Sequence, residues 1–271
     1  MNQAAQRVGI AGLGSVGRVV AQRLDSELPA YDVTAVSARR TERAHAFVAQ
    51  LGSDPAVVGL AELAEHADVV VESAPADRFR ELATPVLERG KRLVVLSAGA
   101  LLDSWDLVEL AEKHGGGILV PTGALLGLDA MLAAAEGEVH SVRMVTRKPV
   151  RGLVGAPFLE ERGIDLDGAS EPVQLFSGPV REAISGFPAN LNVAVALSLA
   201  GVGPDRTTLE VWADPSLERN THRIEVDADA AALEFSIANV PSDDNPRTGR
   251  ITALSVLALL RKMASPLKVG T

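Results

Sequence analysis

Hydrophobic and polar positions in the first half of the chain follow two alternating periods. Short apolar runs typical of strands lie near 7–12, 31–37, 56–59, 68–73, 92–97 and 117–121. Between these runs, apolar residues recur at three- and four-residue spacing, which is typical of helices. The predicted helices include 15–27, 41–51, 77–89 and 103–114. Strands and helices that alternate through about residue 136 predict βαβ units and a parallel sheet.

After about residue 128 the pattern changes to longer strands separated by one helix. Candidate strands lie at 138–146, 173–177, 207–213, 221–227 and 232–239, with a helix around 188–200. This change predicts a second, α+β domain with a largely antiparallel sheet. The last pattern, from Thr248 to Met263, is apolar on one face, and we expect a packed helix that returns to cover the first domain.

Three glycines stand between the first predicted strand and the first predicted helix. Gly12, Gly14 and Gly17 form Gly-x-Gly-x-x-Gly, which in this setting indicates a dinucleotide site. Gly12 permits a tight turn, Gly14 lets backbone N–H groups approach a pyrophosphate, and Gly17 allows close helix packing. Ser15 and Val16 open the helix, whose positive dipole end faces the phosphates. A glycine-rich turn without a ligand is the alternative.

The end of the second predicted strand bears on the choice of cofactor. NAD-selective sites usually carry Asp or Glu about 20 residues after the glycines, to bind the ribose 2′-hydroxyl. This chain has Ser37, Arg39 and Arg40 there, and Asp32 lies too early. A hydroxyl and two guanidiniums suit a 2′-phosphate, although solvated charges at a helix entry are the alternative. The sequence favours NADP(H), with NAD(H) as the second choice.

Small residues follow the later strands of the predicted parallel sheet. Ser73 and Ala74 follow the fourth strand, Ser97 and Ala98 the fifth, and Ala124 the sixth. Loops after strand ends form the ligand crevice of a doubly wound sheet, where small residues let a flat nicotinamide lie against backbone. We therefore expect a Rossmann-type dinucleotide-binding domain over 1–124, joined by the C-terminal helix 246–271, and a second domain over 125–245. For each small residue, a tight connection is the alternative.

Composition narrows the classes of partner. A chain of 271 residues that is 47% hydrophobic is long enough to bury a full core. The net charge of -9 argues against nucleic acid, because phosphate neutralisation needs a clustered positive field. No apolar stretch reaches the roughly 18 residues of a membrane span, and no cysteine is present to form disulfides. We expect a cytoplasmic protein that binds neither nucleic acid nor membrane.

One of the five histidines stands out as an acid/base candidate. Four of them lie in polar stretches of helices or at the start of a strand. His222 differs, because period-two alternation places it on the same face as Ile224 and Val226. Spacing alone leaves two interpretations open, a catalytic histidine and a core or interface histidine with a hydrogen-bond partner.

A series of motifs resembles the L-aspartate dehydrogenase family over nearly the whole chain. In order, the motifs are the N-terminal glycine motif, Ser97 to Ala100, Gly123 to Ala130, Phe187 to Ala194, Asp214-Pro215, Asn220-Thr221-His222 and Asn245 to Gly249. The resemblance implies a Rossmann domain plus an α+β substrate domain that also forms a homodimer. It also implies that the C-terminal helix returns to the first domain.

The resemblance further implies a reaction and its partners. The reaction is the reversible, NAD(P)-dependent oxidative deamination of L-aspartate to iminoaspartate, which hydrolyses to oxaloacetate and ammonia. In this family the residue matching His222 is the proposed acid/base, and the residues matching Ala124, Asn190 and Asn192 contact the nicotinamide end of the cofactor. No metal is expected.

A dicarboxylate substrate also requires cations or hydrogen-bond donors. Candidates are Arg147 and Lys148, at the end of a strand, and Arg247 with Thr248, at a helix N-terminus. Exposed charges at element ends are the alternative. The chain departs from the family pattern after this strand. Family members commonly continue from Arg-Lys-Pro with a second proline and an aromatic-containing stretch. This chain instead continues with Pro-Val-Arg-Gly-Leu, from Pro149 to Leu153.

Three alternatives to aspartate dehydrogenase stay open at this point. One is an amino-acid dehydrogenase with another substrate, which the departing loop favours. A second is a reductase of the homoserine-dehydrogenase or dihydrodipicolinate-reductase kind, against which the Asn220 to His222 and Gly123 to Ala130 runs argue. The third is a non-catalytic NADP(H)-binding sensor.

Overall fold

The chain forms two compact units in a computed structural model that describes residues 4–188, 191–242, 244–245 and 248–271. The first unit runs to Pro121 and also takes up Thr252–Lys268. The second consists of Thr122–Ile251 and Val269–Thr271. Among the described residues, none of the helices combines the length and the apolar character needed to cross a lipid bilayer.

Strands and helices alternate along the first unit. Its strands are β1 (Gln6–Ala11), β2 (Tyr31–Ser37), β3 (Ala56–Val57), β4 (Val69–Glu72), β5 (Arg92–Val95) and β6 (Gly117–Leu119). Its helices are α1 (Ser15–Glu27), α2 (Thr41–Val48), α3 (Leu63–His66), α4 (Phe79–Glu88), α5 (Ala98–Leu102) and α6 (Asp106–His114). The strands pair in parallel in the order β3-β2-β1-β4-β5-β6. This order is that of doubly wound dinucleotide-binding sheets.

The central strands of this sheet are continuous apolar runs because helices cover both of their faces. All four residues of β4 are buried, as are the last three of β5. The predicted helix over 103–114 is wrong at its start. A tight turn, in which the amide of Ser104 donates to the carbonyl of Leu101 at 2.9 Å, separates α5 from α6.

The second unit contains the longer strands. In chain order its elements are α7 (Leu128–Ala135), β7 (Val139–Lys148), α8 (Pro157–Arg162), β8 (Val173–Pro179), α9 (Val180–Ala183), α10 (Asn192–Ala200), β9 (Thr207–Ala213), β10 (Thr221–Ala228) and β11 (Ala232–Ala238). The sheet order is β11-β10-β7-β9-β8, and every pair is antiparallel except β7 with β9. The predicted fold class, a doubly wound parallel sheet with a second, largely antiparallel α+β domain, is confirmed.

Alternation along β7 divides the second sheet into two faces. Met144, Thr146 and Lys148 are buried, whereas Arg143 and the other intervening residues are only half-buried. The same alternation buries His222, Ile224 and Val226 on β10, as predicted. We call the half-buried side the open face. There, the guanidinium of Arg143 binds two carboxylates at 2.6 and 2.7 Å, those of Glu210 and Glu225.

The last helix, α11 (Ile251–Ala264), packs almost entirely within the first unit. Val256, Leu257 and Leu260 are buried in the core that also holds β1 and β2. The hydroxyl of Tyr31 donates to the carbonyl of Leu260 at 2.7 Å. A segment from the end of the chain therefore completes the core of its beginning.

We expect Leu260→Ala to lower the free energy of unfolding of the first unit by about 2–5 kcal/mol, because it leaves a cavity at a fully buried position. Leu254, on the same helix, is 46% exposed, so Leu254→Ala should change stability by less than about 0.5 kcal/mol. Each unit contains one of the two tryptophans, Trp105 and Trp212. Urea unfolding in a Trp212→Phe background therefore reports on the first unit, and equal losses for both variants would contradict this role of α11.

Candidate functional site

The glycine motif of the first unit forms a turn that other residues could not adopt. Gly12 has φ +94°, and a Cβ there would lie 2.5 Å from the carbonyl oxygen of Ser73. A Cβ on Gly17 would lie 1.9 Å from the carbonyl oxygen of Gly12. At Gly14, by contrast, no atom lies within 4 Å of a Cβ position, so this side of the turn is open. Two glycines permit the packing, and the third leaves space in front of the backbone.

The open side of the turn coincides with the N-terminus of α1. Gly14 is the N-cap residue, so no side chain caps the helix, and the first turn carries no acidic residue. The first N–H groups of a helix have no partner within the helix, and its dipole favours an anion there. Ser15 and Val16 are half-buried beside this space. The arrangement fits the pyrophosphate of a dinucleotide.

Ser73 and Ser37 form hydrogen bonds with the backbone of the glycine turn. The amide of Gly12 donates to the carbonyl of Ser37 at 2.8 Å. The hydroxyl of Ser73 lies 2.9 Å from the carbonyl oxygens of both Ala11 and Gly12, to which its one proton can be donated. The Ser73 side chain, predicted to contact the cofactor, is therefore engaged in shaping the turn, with Ala74 next to it.

Glu72, at the end of β4, is a buried carboxylate that the sequence analysis did not single out as a site residue. It accepts hydrogen bonds from the amides of Leu96 at 3.0 Å and Ser97 at 2.8 Å, and from the Ser97 hydroxyl at 3.1 Å. Burial raises the pKa of Glu72, and these hydrogen bonds oppose the rise. The carboxylate joins the ends of two neighbouring strands, and so holds Ser97 and the buried Ala98 in place. A carboxylate that ends an apolar run was the available signal.

Two arginines follow β2, at the carboxyl ends of the parallel strands, where the glycine turn also lies. Arg39 and Arg40 are exposed, and neither guanidinium has an ion pair or hydrogen bond within the described ranges of the chain. Arg40 precedes the first residue of α2. Both guanidiniums are available to an anionic group.

In the second unit, His222 lies on the buried face of the sheet and is 2% exposed. It is opposite Thr146 in the antiparallel register of β7 and β10. Its Nδ1 lies 3.1 Å from the Thr146 hydroxyl oxygen. No other hydrogen bond of this imidazole involves a described residue, so Nε2 has no partner in that part of the chain.

Lys148 lies two residues after Thr146 on the same face and is 4% exposed. Within the described parts of the chain, no carboxylate or other acceptor pairs with its ammonium group. Burial alone lowers the pKa of Lys148 to about 8. Burial, together with the nearby charge of Lys148, lowers the pKa of His222 to about 3. His222 is therefore a neutral imidazole at neutral pH, beside a buried cation that has no counter-charge among the described residues.

The structure separates the two neighbouring candidates for substrate carboxylates. Arg147 is half-buried on the open face, whereas Lys148 and His222 are buried on the opposite face. Its guanidinium lies 5.0 Å from the centre of the Trp212 ring and 3.3 Å from Asp214 Oδ2. Arg147 and Lys148 therefore do not face the same site, because adjacent residues of a strand project to opposite faces.

Thr248 also departs from its expected setting. It lies in a turn, where its amide donates to the carbonyl of Asn245 at 2.9 Å and its hydroxyl accepts from the Asn245 side chain at 3.1 Å. The helix begins at Ile251, so Thr248 is not at a helix N-terminus. Arg247, its predicted partner, lies outside the described residues.

Ala124 and Asn192 lie in the second unit, and Asn190 is outside the described residues. The side-chain amide of Asn239 donates to the carbonyl of Ala124 at 2.9 Å, and its buried Oδ1 has no partner among described residues. Asn239, which the sequence analysis missed, thus fixes the segment at Ala124. Asn192 is the first residue of α10, and Leu191, not Asn192, is its N-cap.

The loop that departs from the family pattern forms a single 3-10 turn over Val150–Gly152. Arg151 donates to the carbonyl of Glu218 at 2.7 Å. Leu153 is fully buried. The loop is therefore anchored at both its charged and its apolar residue.

Comparison with known proteins places these features in a family. Residues 129–263 match the family model described as aspartate dehydrogenase, C-terminal, and residues 12–121 match that described as homoserine dehydrogenase, NAD binding domain. The L-aspartate dehydrogenase of Bradyrhizobium diazoefficiens is 56% identical over 265 residues, which cover 98% of this chain and 94% of the relative. L-aspartate dehydrogenase 3 of Bordetella bronchiseptica is 56% identical over 265 residues, 97% of each chain.

Solved structures agree with this assignment of the fold. The crystal structure of aspartate dehydrogenase from Thermotoga maritima aligns with a TM-score of 0.71 at 24% identity, covering 98% of this chain and 99% of that chain. A homoserine dehydrogenase from Thiobacillus denitrificans aligns with a TM-score of 0.61 at 14% identity, covering 94% and 72%. At these identities the likeness concerns the fold alone.

Lys148 should make the stability of the second unit depend on pH. Its pKa is 10.5 in the unfolded chain and about 8 in the folded one, so the unfolded state binds more protons between these values and stability rises with pH across that window. The shift corresponds to a cost of about 3 kcal/mol below pH 8. We expect Lys148→Met to raise the free energy of unfolding at pH 7 by up to this amount, and by less near pH 10.5.

Urea unfolding at both pH values checks this expectation, with Trp212 as the probe in a Trp105→Phe background. Arg223→Met is the control, because Arg223 is an exposed cation on the open face of β10, where it pairs with Glu225 and Glu234. A gain from Lys148→Met that is the same at both pH values would show that its ammonium is not the source.

Proposed function

Because the chain belongs to the L-aspartate dehydrogenase family, we propose that it catalyses the reversible oxidative deamination of L-aspartate with a nicotinamide dinucleotide. The product, iminoaspartate, hydrolyses to oxaloacetate and ammonia. The observation that carries the proposal is the buried pair of Lys148 and His222 on one face of the second unit's sheet. A cation and a proton-exchanging group are the two functions that a substrate with carboxylates and an amino group requires.

Lys148 is the residue we assign to a substrate carboxylate. A buried charge without a counter-ion is costly to the fold. A bound carboxylate supplies an opposite charge. The free energy of binding then includes the relief of the destabilisation that the buried ammonium causes in the empty site. An apolar or cationic substrate has no such effect.

His222 is the residue we assign to proton exchange. A neutral imidazole can accept a proton from the substrate amine or from attacking water, and can return one in the reverse direction. A carboxylate bound at Lys148 offsets the positive charge that helps to lower the pKa of His222, so substrate binding moves that pKa upward toward neutrality. The acid/base group is thus tuned by the substrate itself.

The glycine turn and the N-terminus of α1 are the groups we assign to the pyrophosphate of the cofactor. The open side of Gly14 and the uncapped helix support this assignment. A nicotinamide bound there would supply the hydride acceptor for the substrate Cα and, in reductive amination, the hydride donor. The protein contributes binding, orientation and charge.

Arg39 and Arg40 support a preference for NADP(H) over NAD(H). Both are exposed cations beyond the end of β2, where a dinucleotide places its ribose 2′-substituent. A 2′-phosphate accepts charge-assisted hydrogen bonds from guanidinium groups, whereas a 2′-hydroxyl gains little from two cations.

A homodimer in the cytoplasm completes the proposal. The open face carries both signs of charge in alternating positions, together with the ring of Trp212, around a cavity of about 320 Å³. A surface of mixed charge can pair with its own copy across a two-fold axis.

Light scattering should give twice the monomer mass of 28.3 kDa, and Arg143→Glu should shift the measured mass toward that of the monomer. A monomeric wild type would remove this part of the proposal.

The first test is the rate of NADPH and NADH oxidation with oxaloacetate, with and without ammonium, and with aspartate followed as the product. We expect oxidation that depends on ammonium and yields aspartate. His222→Ala should lower kcat by at least about 100-fold, the usual contribution of a positioned acid/base group, with the dissociation constant of the cofactor unchanged.

His140→Ala is the matched control, because His140 is an exposed histidine on β7, and it should retain the wild-type rate. Full activity of His222→Ala would remove His222 from the mechanism. Cofactor binding without turnover of oxaloacetate would favour the sensor, or a different substrate, which a panel of other keto acids would identify.

The cofactor preference is tested with the double substitution Arg39→Asp and Arg40→Ala. We expect KM for NADPH to rise about 10- to 100-fold, the range for losing charged hydrogen bonds, with little change for NADH. Arg92→Ala is the control, since Arg92 is an exposed arginine at the opposite end of a strand, the start of β5. Equal losses with both cofactors would refute contact with a 2′-phosphate.

A further inference from the structure

The hydroxyl of Thr146 is the hydrogen-bond partner of His222, and its own bonding limits the state of the imidazole. We propose that Thr146 is a positioning residue for His222: its hydroxyl donates to Nδ1 and holds the ring in the tautomer with the proton on Nε2. The catalytic consequence rests on the proposed function, whereas the tautomer itself does not. Neither the family match nor the site motifs point to this threonine.

The strand register brings the two side chains together. Thr146 on β7 and His222 on β10 are directly opposite in an antiparallel pair, where side chains on one face are in contact range. On its other side, His222 is opposite Ile237 of β11, which has no polar side-chain atom. Thr146 is opposite Val211 of β9. Among the residues paired with Thr146 and His222 in register, the polar partner of Thr146 is therefore His222, and that of His222 is Thr146.

Burial makes the direction of this hydrogen bond decidable. Thr146 is 0% exposed, and its hydroxyl has no other partner within the described ranges. If Nδ1 carried the proton, it would donate to the threonine oxygen, and the hydroxyl proton would be buried without an acceptor. A buried donor without an acceptor is unfavourable. If the hydroxyl donates instead, both atoms are satisfied, and the proton of the neutral ring must lie on Nε2.

The positive charge nearby acts in the same direction. Lys148 follows Thr146 by two residues on the same face, and its ammonium disfavours a second proton on His222. The ring therefore rests as a single neutral species with a defined orientation. Its Nε2–H is the group presented to a ligand, and to accept a proton the ring must exchange this tautomer or turn the threonine hydroxyl.

Two substitutions separate the hydroxyl from the shape of the side chain. Thr146→Val keeps the volume and removes the hydroxyl, whereas Thr146→Ser keeps the hydroxyl. The full-length protein, labelled with ¹⁵N at histidine and free of ligand, is observed by two-bond ¹H–¹⁵N NMR, and His222→Gln assigns the ring signals. In the wild type and Thr146→Ser, we expect a protonated Nε2 and an unprotonated Nδ1. Thr146→Val should show exchange between both tautomers.

Turnover is measured on the same variants. We expect Thr146→Val to lower kcat for reductive amination about tenfold, the size of one hydrogen bond to a reacting group, because the Nε2–H that donates to the substrate is no longer held in place. Thr146→Ser should recover most of this loss. Urea unfolding shows whether the Val variant folds as the wild type does. A merely structural threonine would lower stability and leave the His222 tautomer unchanged.

The outcomes are distinguishable from those of the proposed function. A wild-type His222 with its proton on Nδ1, or a Thr146→Val variant with the tautomer unaltered, would overturn the inference whatever the activity. If the wild type shows no turnover of aspartate or oxaloacetate, the proposed function fails, and the NMR result alone still decides the role of Thr146.

Discussion

In the second unit, the antiparallel pairing of β7 with β10 decides which side chains share the buried face. A slip of one residue would turn His222 to the open face and bring Arg223 inward, since alternate residues of a strand point to opposite sides. The same register places Thr146 against the imidazole and Lys148 beside it. Apolar neighbours in this layer, such as Met144 and Ile224, are fully buried. They exclude water and so raise the cost of burying the Lys148 ammonium, which has no partner in the part of the chain that the structure describes. Pairing of backbone atoms thus sets the electrostatics of the site.

The first unit achieves its binding geometry by different means. Its turn exposes backbone N–H groups rather than charged side chains, and buried polar residues hold that backbone in place. Ser73 is engaged with the carbonyls of the turn, and Glu72 joins the ends of β4 and β5. The two arginines that follow β2, Arg39 and Arg40, are exposed cations at the edge of this site. In the proposed cofactor site, the groups assigned to the phosphates common to dinucleotides and those assigned to selection between them are therefore separate residues, and each could change without the other.

Much of the fold could be predicted because long periodic segments carry a strong signal. The parallel strands, the main helices of the first unit and the strands of the second lie close to their expected positions, and the burial of His222 followed from alternation alone. The four-residue helices α3 and α9 are too short to show a period. Thr146 could not be singled out, because threonine is common in strands and its importance lies in a partner 76 residues away. The same alternation of residues along a strand could have predicted that Arg147 and Lys148 face opposite sides of the sheet.

The placement of α11 has a consequence for biosynthesis. The core of the first unit includes Val256, Leu257 and Leu260, which are synthesised only after residues 122–251 of the second unit. Domains usually fold as units while the chain is being made, the N-terminal one first. Here the N-terminal sheet lacks one of its covering helices until residues 122–251 have been synthesised. Until then, the apolar surface that α11 covers stays exposed. The second unit can therefore complete its own core before the first unit does.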